Sequence, residues 1–175
     1  MINTIHTRWV TCMVDIQTIS VSLAAIGFLV ASIYYTLTLR NQNRTRQAQL
    51  FMQIYGVFRT EEFQDNITGI MSWKWNDYDD FLEKYGPNTN PNAWRALGSI
   101  AGYFEGIGLM VNKKLIDISL VENLMSTHII YFWEKISPLS IELRRDFNRP
   151  QIDVWKEYLY NEIKKREAKS KKSAK

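Results

Sequence analysis

The sequence predicts an all-α protein: one N-terminal transmembrane helix followed by a compact cytoplasmic body of about five or six helices. Three observations predict it. Residues 16–39 run for 24 positions without a charge, closed by Asp15 on one side and Arg40 on the other. Beyond that run, apolar residues recur at spacings near 3.6 in segments separated by cap and turn residues. No stretch alternates with the period of two that a half-buried strand requires.

The first 15 residues read as a short extracytoplasmic arm with Trp9 as an interfacial aromatic. At a rise of ~1.5 Å per residue the span 16–39 reaches about 36 Å, enough to cross a hydrocarbon core of ~30 Å with some tilt. A cleavable signal peptide is the rival reading. Its apolar region is usually ~7–15 residues and ends in a small-x-small site. Here the run is longer, and Val30-Ala31-Ser32 is a poor site followed by more apolar residues. Arg8 alone flanks the arm side, whereas Arg40, Arg44 and Arg46 crowd the exit, so the expected topology in the cell membrane is N-terminus outside, body in the cytoplasm. Tyr34 and Tyr35 lie just over a turn before Arg40, at the level amphipathic rings favour. Ser20, Ala24, Gly27 and Ala31 form a small-residue stripe on which another helix could pack closely.

The helical body is expected over residues 40–163. Leu50, Phe51, Ile54, Val57 and Phe58 make an apolar face, with no breaker after Leu39 until Gly56. Thr60 with Glu61 and Glu62 opens a second helix, capped by a hydroxyl and carrying acids in its first turn. That helix turns Phe63, Ile67, Ile70 and Met71 inward. Asn76-Asp77-Tyr78 starts a short helix ending near Tyr85, and residues 86–92 form the clearest loop. Asn92 is the expected cap of a helix over residues 93–111. There Gly98, Gly102 and Gly106 share one face at a cost of ~1 kcal/mol each, which close approach of a neighbouring helix would explain. Ser119 and Glu122 fit a capping box for the next helix, Ser137-Pro138 is read as a restart, and Asn148-Arg149-Pro150 as a stop. The last helix carries Ile152, Trp155, Leu159 and Ile163 on one stripe and dissolves into a basic tail over residues 164–175.

Charge is distributed unevenly. The net charge is +4, but the tail alone holds seven Lys/Arg against one Glu, while residues 47–163 carry eleven Lys/Arg against sixteen Asp/Glu. An acidic body argues against a nucleic-acid partner. The tail, Lys164, Lys165, Arg166, Lys169, Lys171, Lys172 and Lys175, is either a solvated end or a weak site for anionic lipid. A lone cysteine, Cys12, allows no intrachain disulfide.

No motif with a catalytic mechanism stands in the chain: no phosphate-cradling glycine loop, no nucleophile elbow, no HExxH. His6 and His128 fall on opposite sides of the expected membrane, and His128 reads as a partly buried packing residue. The carboxylates Asp77, Asp79, Asp80 and Glu83 fail the calcium-loop pattern, which needs glycine at the sixth place and glutamate at the twelfth. Glu105, beside Gly106, is a surface acid salt-bridged to an arginine such as Arg95, an acid simply exposed on the outer face, or a buried functional carboxyl. No metal and no cofactor is expected.

The segments Trp73–Phe81 (WKWNDYDDF), Tyr103–Val111 (YFEGIGLMV), Leu115-Ile116-Asp117, Trp133-Glu134 and Pro138 resemble a family of small prokaryotic membrane proteins known only as a domain of unknown function. The resemblance implies a single-pass anchor and a helical cytoplasmic domain, and no activity. The functional expectation is a non-enzymatic module at the membrane that binds a protein partner or forms a homo-oligomer. The alternative is a small-ligand sensor or enzyme using Glu105 or the Asp77–Glu83 group.

Overall fold

A computed structural model describes the backbone of residues 2–173 and the side chains of residues 16–172. The side chains of His6, Arg8, Trp9 and Cys12, and the residue Lys175, lie outside the described residues. The chain is helical throughout its described elements: α1 (Ile2–Phe58), α2 (Glu61–Ser72), α3 (Tyr78–Tyr85), α4 (Pro91–Asn112), α5 (Ile118–Asp146) and α6 (Val154–Ser173). It divides into two compact units, Met1–Arg46 and Gln47–Lys175.

The first unit is the bulk of α1. None of its apolar window is buried, and four of its hydroxyls are bonded within the helix itself. Ser20, Ser32, Thr36 and Thr38 each donate to the carbonyl four residues earlier, at 2.8–2.9 Å. This back-bonding removes the cost of carrying hydroxyls in an apolar surrounding.

The second unit is a bundle built around α4, which packs against α2, α3 and most extensively α6, while α5 lies against α6 and α2. The end of α1 belongs to this core. Phe51 and Phe58 are buried and stack with Tyr55, and the Tyr103 hydroxyl donates to the Ile54 carbonyl at 2.8 Å. Leu50 and Val57, expected on the same face, are exposed. In α2 the Thr60 hydroxyl accepts from Phe63 N, and Phe63, Ile67 and Ile70 are buried as expected, while Met71 turns outward. Phe81, Ile100, Phe104, Val121, Phe132, Leu159 and Ile163 sit at the centre with no exposed surface.

Four boundaries differ from expectation, each for a local reason. Helix α4 starts at Pro91 rather than Ala93, because Asn90 accepts from Ala93 N and proline at the first position has no amide to leave unpaired. Asp117, not Ser119, caps α5, and Glu122 instead pairs with Arg166 of α6. Pro138 does not restart the chain but lies inside α5, where Ile136, Leu139 and Ser140 are buried around it. Tertiary packing holds the helix through the missing amide. The basic tail continues α6 as helix to Ser173.

The Trp73–Phe81 segment is fixed by its aromatics. Trp73 stacks on Tyr85 with centroids 4.3 Å apart, and Trp75 meets Phe81 edge-on. Lys135 of α5 donates to the Trp73 carbonyl at 2.9 Å with its ammonium 4.7 Å from the Trp75 ring centre. Burial lowers the pKa of that ammonium.

Candidate functional site

The residues singled out in the sequence do not converge on one site. Tyr34, Tyr35, Arg40, Arg44 and Arg46 are all exposed along α1. Gly98 and Gly102 face solvent, Gly106 is half-buried, and a methyl group added at any of the three would meet nothing within 4 Å. The expected helix does not approach them. Backbones instead meet two residues further on, at Gly108, where an added Cβ would stand 2.0 Å from the Trp155 carbonyl oxygen. Gly108 thus sets the crossing of α4 and α6.

Of the four grouped carboxylates two are structural, Asp79 is exposed and Glu83 lines a cleft described below. Asp77 caps α3 by accepting from Asp80 N at 2.9 Å. Asp80 accepts from Asn76 N and pairs with Lys84 at 2.7 Å, which holds its carboxyl below the usual range. Among the described residues no group of three or more His, Cys, Asp and Glu side chains could hold a metal. His128 is half-buried and lies edge-on to Phe58, with ring centres 5.0 Å apart.

Glu105 is half-buried, and among the described residues it forms no ion pair with Arg95. Its carboxylate reaches across to α6 and accepts from Trp155 N at 3.1 Å and Lys156 N at 2.8 Å. Both donors belong to the first turn of α6, whose amides have no partner within the helix. A carboxylate there also meets the positive end of the helix dipole. Glu105 therefore caps α6 from α4, beside the Gly108 contact.

Next to that cap lies a buried polar cluster that the sequence reading missed. Lys156 has no exposed surface; its ammonium contacts Asp153 Oδ1 at 2.6 Å and lies 5.8 Å from the centre of the Phe132 ring. The buried Ser140 hydroxyl donates to the other Asp153 oxygen at 2.5 Å. Arg144 joins through the Ile152 carbonyl and Glu157. Desolvation lowers the Lys156 pKa, opposed by Asp153. One signal was available: Lys156, Leu159 and Ile163 share a helical row, so a lysine stands on the core-facing stripe. Its chemistry is that of a buried ion pair fixing the turn between α5 and α6.

The tail's charge is half spent within the body. Lys164 pairs with Glu134, Lys165 with Glu162 and Arg166 with Glu122, while Lys169, Lys171 and Lys172 are exposed.

One cleft of about 520 Å³ opens between α3, the start of α4 and the end of α5. Tyr78, Trp94 and Phe147 wall it, with Leu82 beneath and the carboxyl-bearing Glu83 and Asp146 among its lining.

These features define a class before they define a family: an all-helical protein with one N-terminal helix long and apolar enough to span a membrane and a folded helical body after it. The family model of DUF4760, a domain of unknown function, matches residues 19–162, and the chain belongs to that family. No curated protein and no solved structure matches the chain significantly.

Proposed function

We propose that the chain is a single-pass protein of the cell membrane, N-terminus outside, whose helical body docks a protein partner or a second copy at the cytoplasmic face without catalysing a reaction. The observation that carries this reading is the span 16–39: uncharged and exposed apart from two half-buried hydroxyl side chains, with hydroxyls bonded back to the helix. An apolar surface of that length has no place in water and is matched by a bilayer. The exposed arginines at 40, 44 and 46 favour the cytoplasmic side for the body. Lys169, Lys171 and Lys172 remain free to face anionic lipid at ~1 kcal/mol each near the surface, which would orient a body already tethered.

Labelling Cys12 in intact cells with a membrane-impermeant thiol reagent tests the topology. Labelling without lysis is the expected result; labelling only after lysis reverses the orientation, and extraction of the protein by alkaline carbonate removes the anchor altogether. Crosslinking in native membranes tests the docking role. A discrete higher-mass species is expected, and a strictly monomeric chain counts against it.

A further inference from the structure

The cleft between α3, α4 and α5 has a chemistry of its own. Its walls are the rings of Tyr78, Trp94 and Phe147 together with the loop residues Pro87, Asn88 and Thr89, and among the described residues its only ionisable groups besides the Tyr78 hydroxyl are Glu83 and Asp146. No lysine or arginine lines it. The nearest lysine on α3, Lys84, is held by Asp80 at 2.7 Å and is not offered to the cleft. Phe147 is 58% exposed although it directly follows α5, so a large ring stands at the cleft without a hydrophobic partner covering it. Trp94 is placed from behind by Phe81, with ring centres 6.4 Å apart. The Tyr78 hydroxyl, pushed up to about 12 by burial and by its hydrogen bond to Asp146, stays protonated and so orients that carboxylate.

Aromatic faces carry negative potential and attract cations that shed water easily. Carboxylates beside them add full charge. An anion would meet two carboxylates and, among the described residues, no basic side chain. A hard metal ion would need six or more oxygen ligands, and the described residues hold no group of three or more His, Cys, Asp and Glu side chains that could bind one. A neutral apolar molecule would use the rings but leave the charge unanswered. The volume of about 520 Å³ falls within the ~300–1,000 Å³ of small-molecule sites.

We propose that this cleft binds a free small alkylammonium cation, its charge beside Asp146 and its alkyl shell against Trp94, Phe147 and Tyr78. The site goes beyond the anchor-and-docking role and does not rest on it.

Isothermal titration of the full chain in neutral maltoside micelles tests the site, using choline and n-pentylammonium with their neutral isosteres 3,3-dimethylbutan-1-ol and n-pentanol. Saturable binding of the cations at one site per chain is expected, with the alcohols about tenfold weaker or more. Asp146→Asn keeps the shape and is expected to weaken the cations about tenfold while leaving the alcohols unchanged; Phe147→Ala, at an exposed position, weakens both. Glu83→Gln serves as a second charge variant if Asp146→Asn melts early by circular dichroism. Absence of saturable heat, equal binding of cations and isosteres, or cation affinity unmoved by both charge variants overturns the proposal. Adding phosphatidylcholine to the micelles separates a free cation from a lipid headgroup: unchanged choline affinity is expected, and its loss overturns the assignment to a free ligand.

Discussion

At the scale of single residues, the glycines of α4 separate spacing from contact. Gly98, Gly102 and Gly106 follow the helical repeat yet leave open space for a Cβ, whereas Gly108 lies under the Trp155 carbonyl. Gly108→Ala is therefore expected to cost about 3 kcal/mol or more, because backbone cannot yield as a flexible side chain does. Gly102→Ala should stabilise by about 0.5–1 kcal/mol through helix propensity alone. Urea unfolding of the two variants checks the contrast, and a reversed order would place the helix crossing elsewhere. The sequence displayed a repeat but not the crossing point, which depends on how α4 and α6 meet in space. Glu105 was legible as an unusual acid for the same reason that its role was not: its partners are amides 50 and 51 residues away. The Lys156–Asp153 pair makes a second residue-scale prediction. Asp153→Asn removes the carboxylate in contact with a buried ammonium, leaving only the more distant charge of Glu105, and should cost about 3 kcal/mol. The double variant Asp153→Asn/Lys156→Met should recover most of that loss in urea melts, since the buried ammonium is then gone as well. Asparagine is chosen because residue 153 has φ of 62°, a left-handed conformation that asparagine tolerates.

At the scale of elements, the starts of α2 to α5 were readable to within two residues because caps are local chemistry. Thr60 and Asp77 act as read, while Asn90 and Asp117 each displaced a neighbouring candidate two residues away. Stops were less readable. Pro138 signals a break in any isolated segment, yet α5 passes through it because buried residues flank it on both sides. The tail of α6 looked like a solvated end, and its ion pairs with Glu134 and Glu122 of α5 lie 30 and 44 residues away in sequence. The capping acids set an acid limit on the fold. The amide and hydroxyl of Ser119 hold the Asp117 carboxyl below its usual range, and Lys84 does the same for Asp80. A depressed folded pKa means that the stabilisation is complete above the unfolded value of about 3.9 and is lost as pH falls through the folded value. Asp117→Ala should thus cost about 1 kcal/mol at pH 7 and show a flatter loss of stability below about pH 4 than the parent chain. Denaturant midpoints measured from pH 7 to pH 2 check both.

At the scale of the whole molecule, the informative boundary lies inside α1. The helix is unbroken from Ile2 to Phe58, but its last twelve residues belong to the folded body, which begins at Gln47. Pattern reading located the apolar face of Phe51, Ile54 and Phe58 without showing where the body starts, since one uninterrupted helical period serves both units. Two truncations separate them. Residues 47–175 keep Phe51 and Phe58, the Ile54 carbonyl that accepts from Tyr103, and the Phe58 carbonyl that accepts from Gln64 at 2.6 Å. That fragment is expected to be helical and to melt in one cooperative step. Residues 60–175 lose two buried phenylalanines, each worth about 3–5 kcal/mol when truncated, and leave the Tyr103 hydroxyl without its acceptor. The combined loss approaches or exceeds the 5–15 kcal/mol that holds an ordinary domain folded. The shorter fragment should therefore show a broad, non-cooperative transition by far-ultraviolet circular dichroism. Equal cooperativity in both fragments would mean that the end of α1 serves the membrane helix rather than the core.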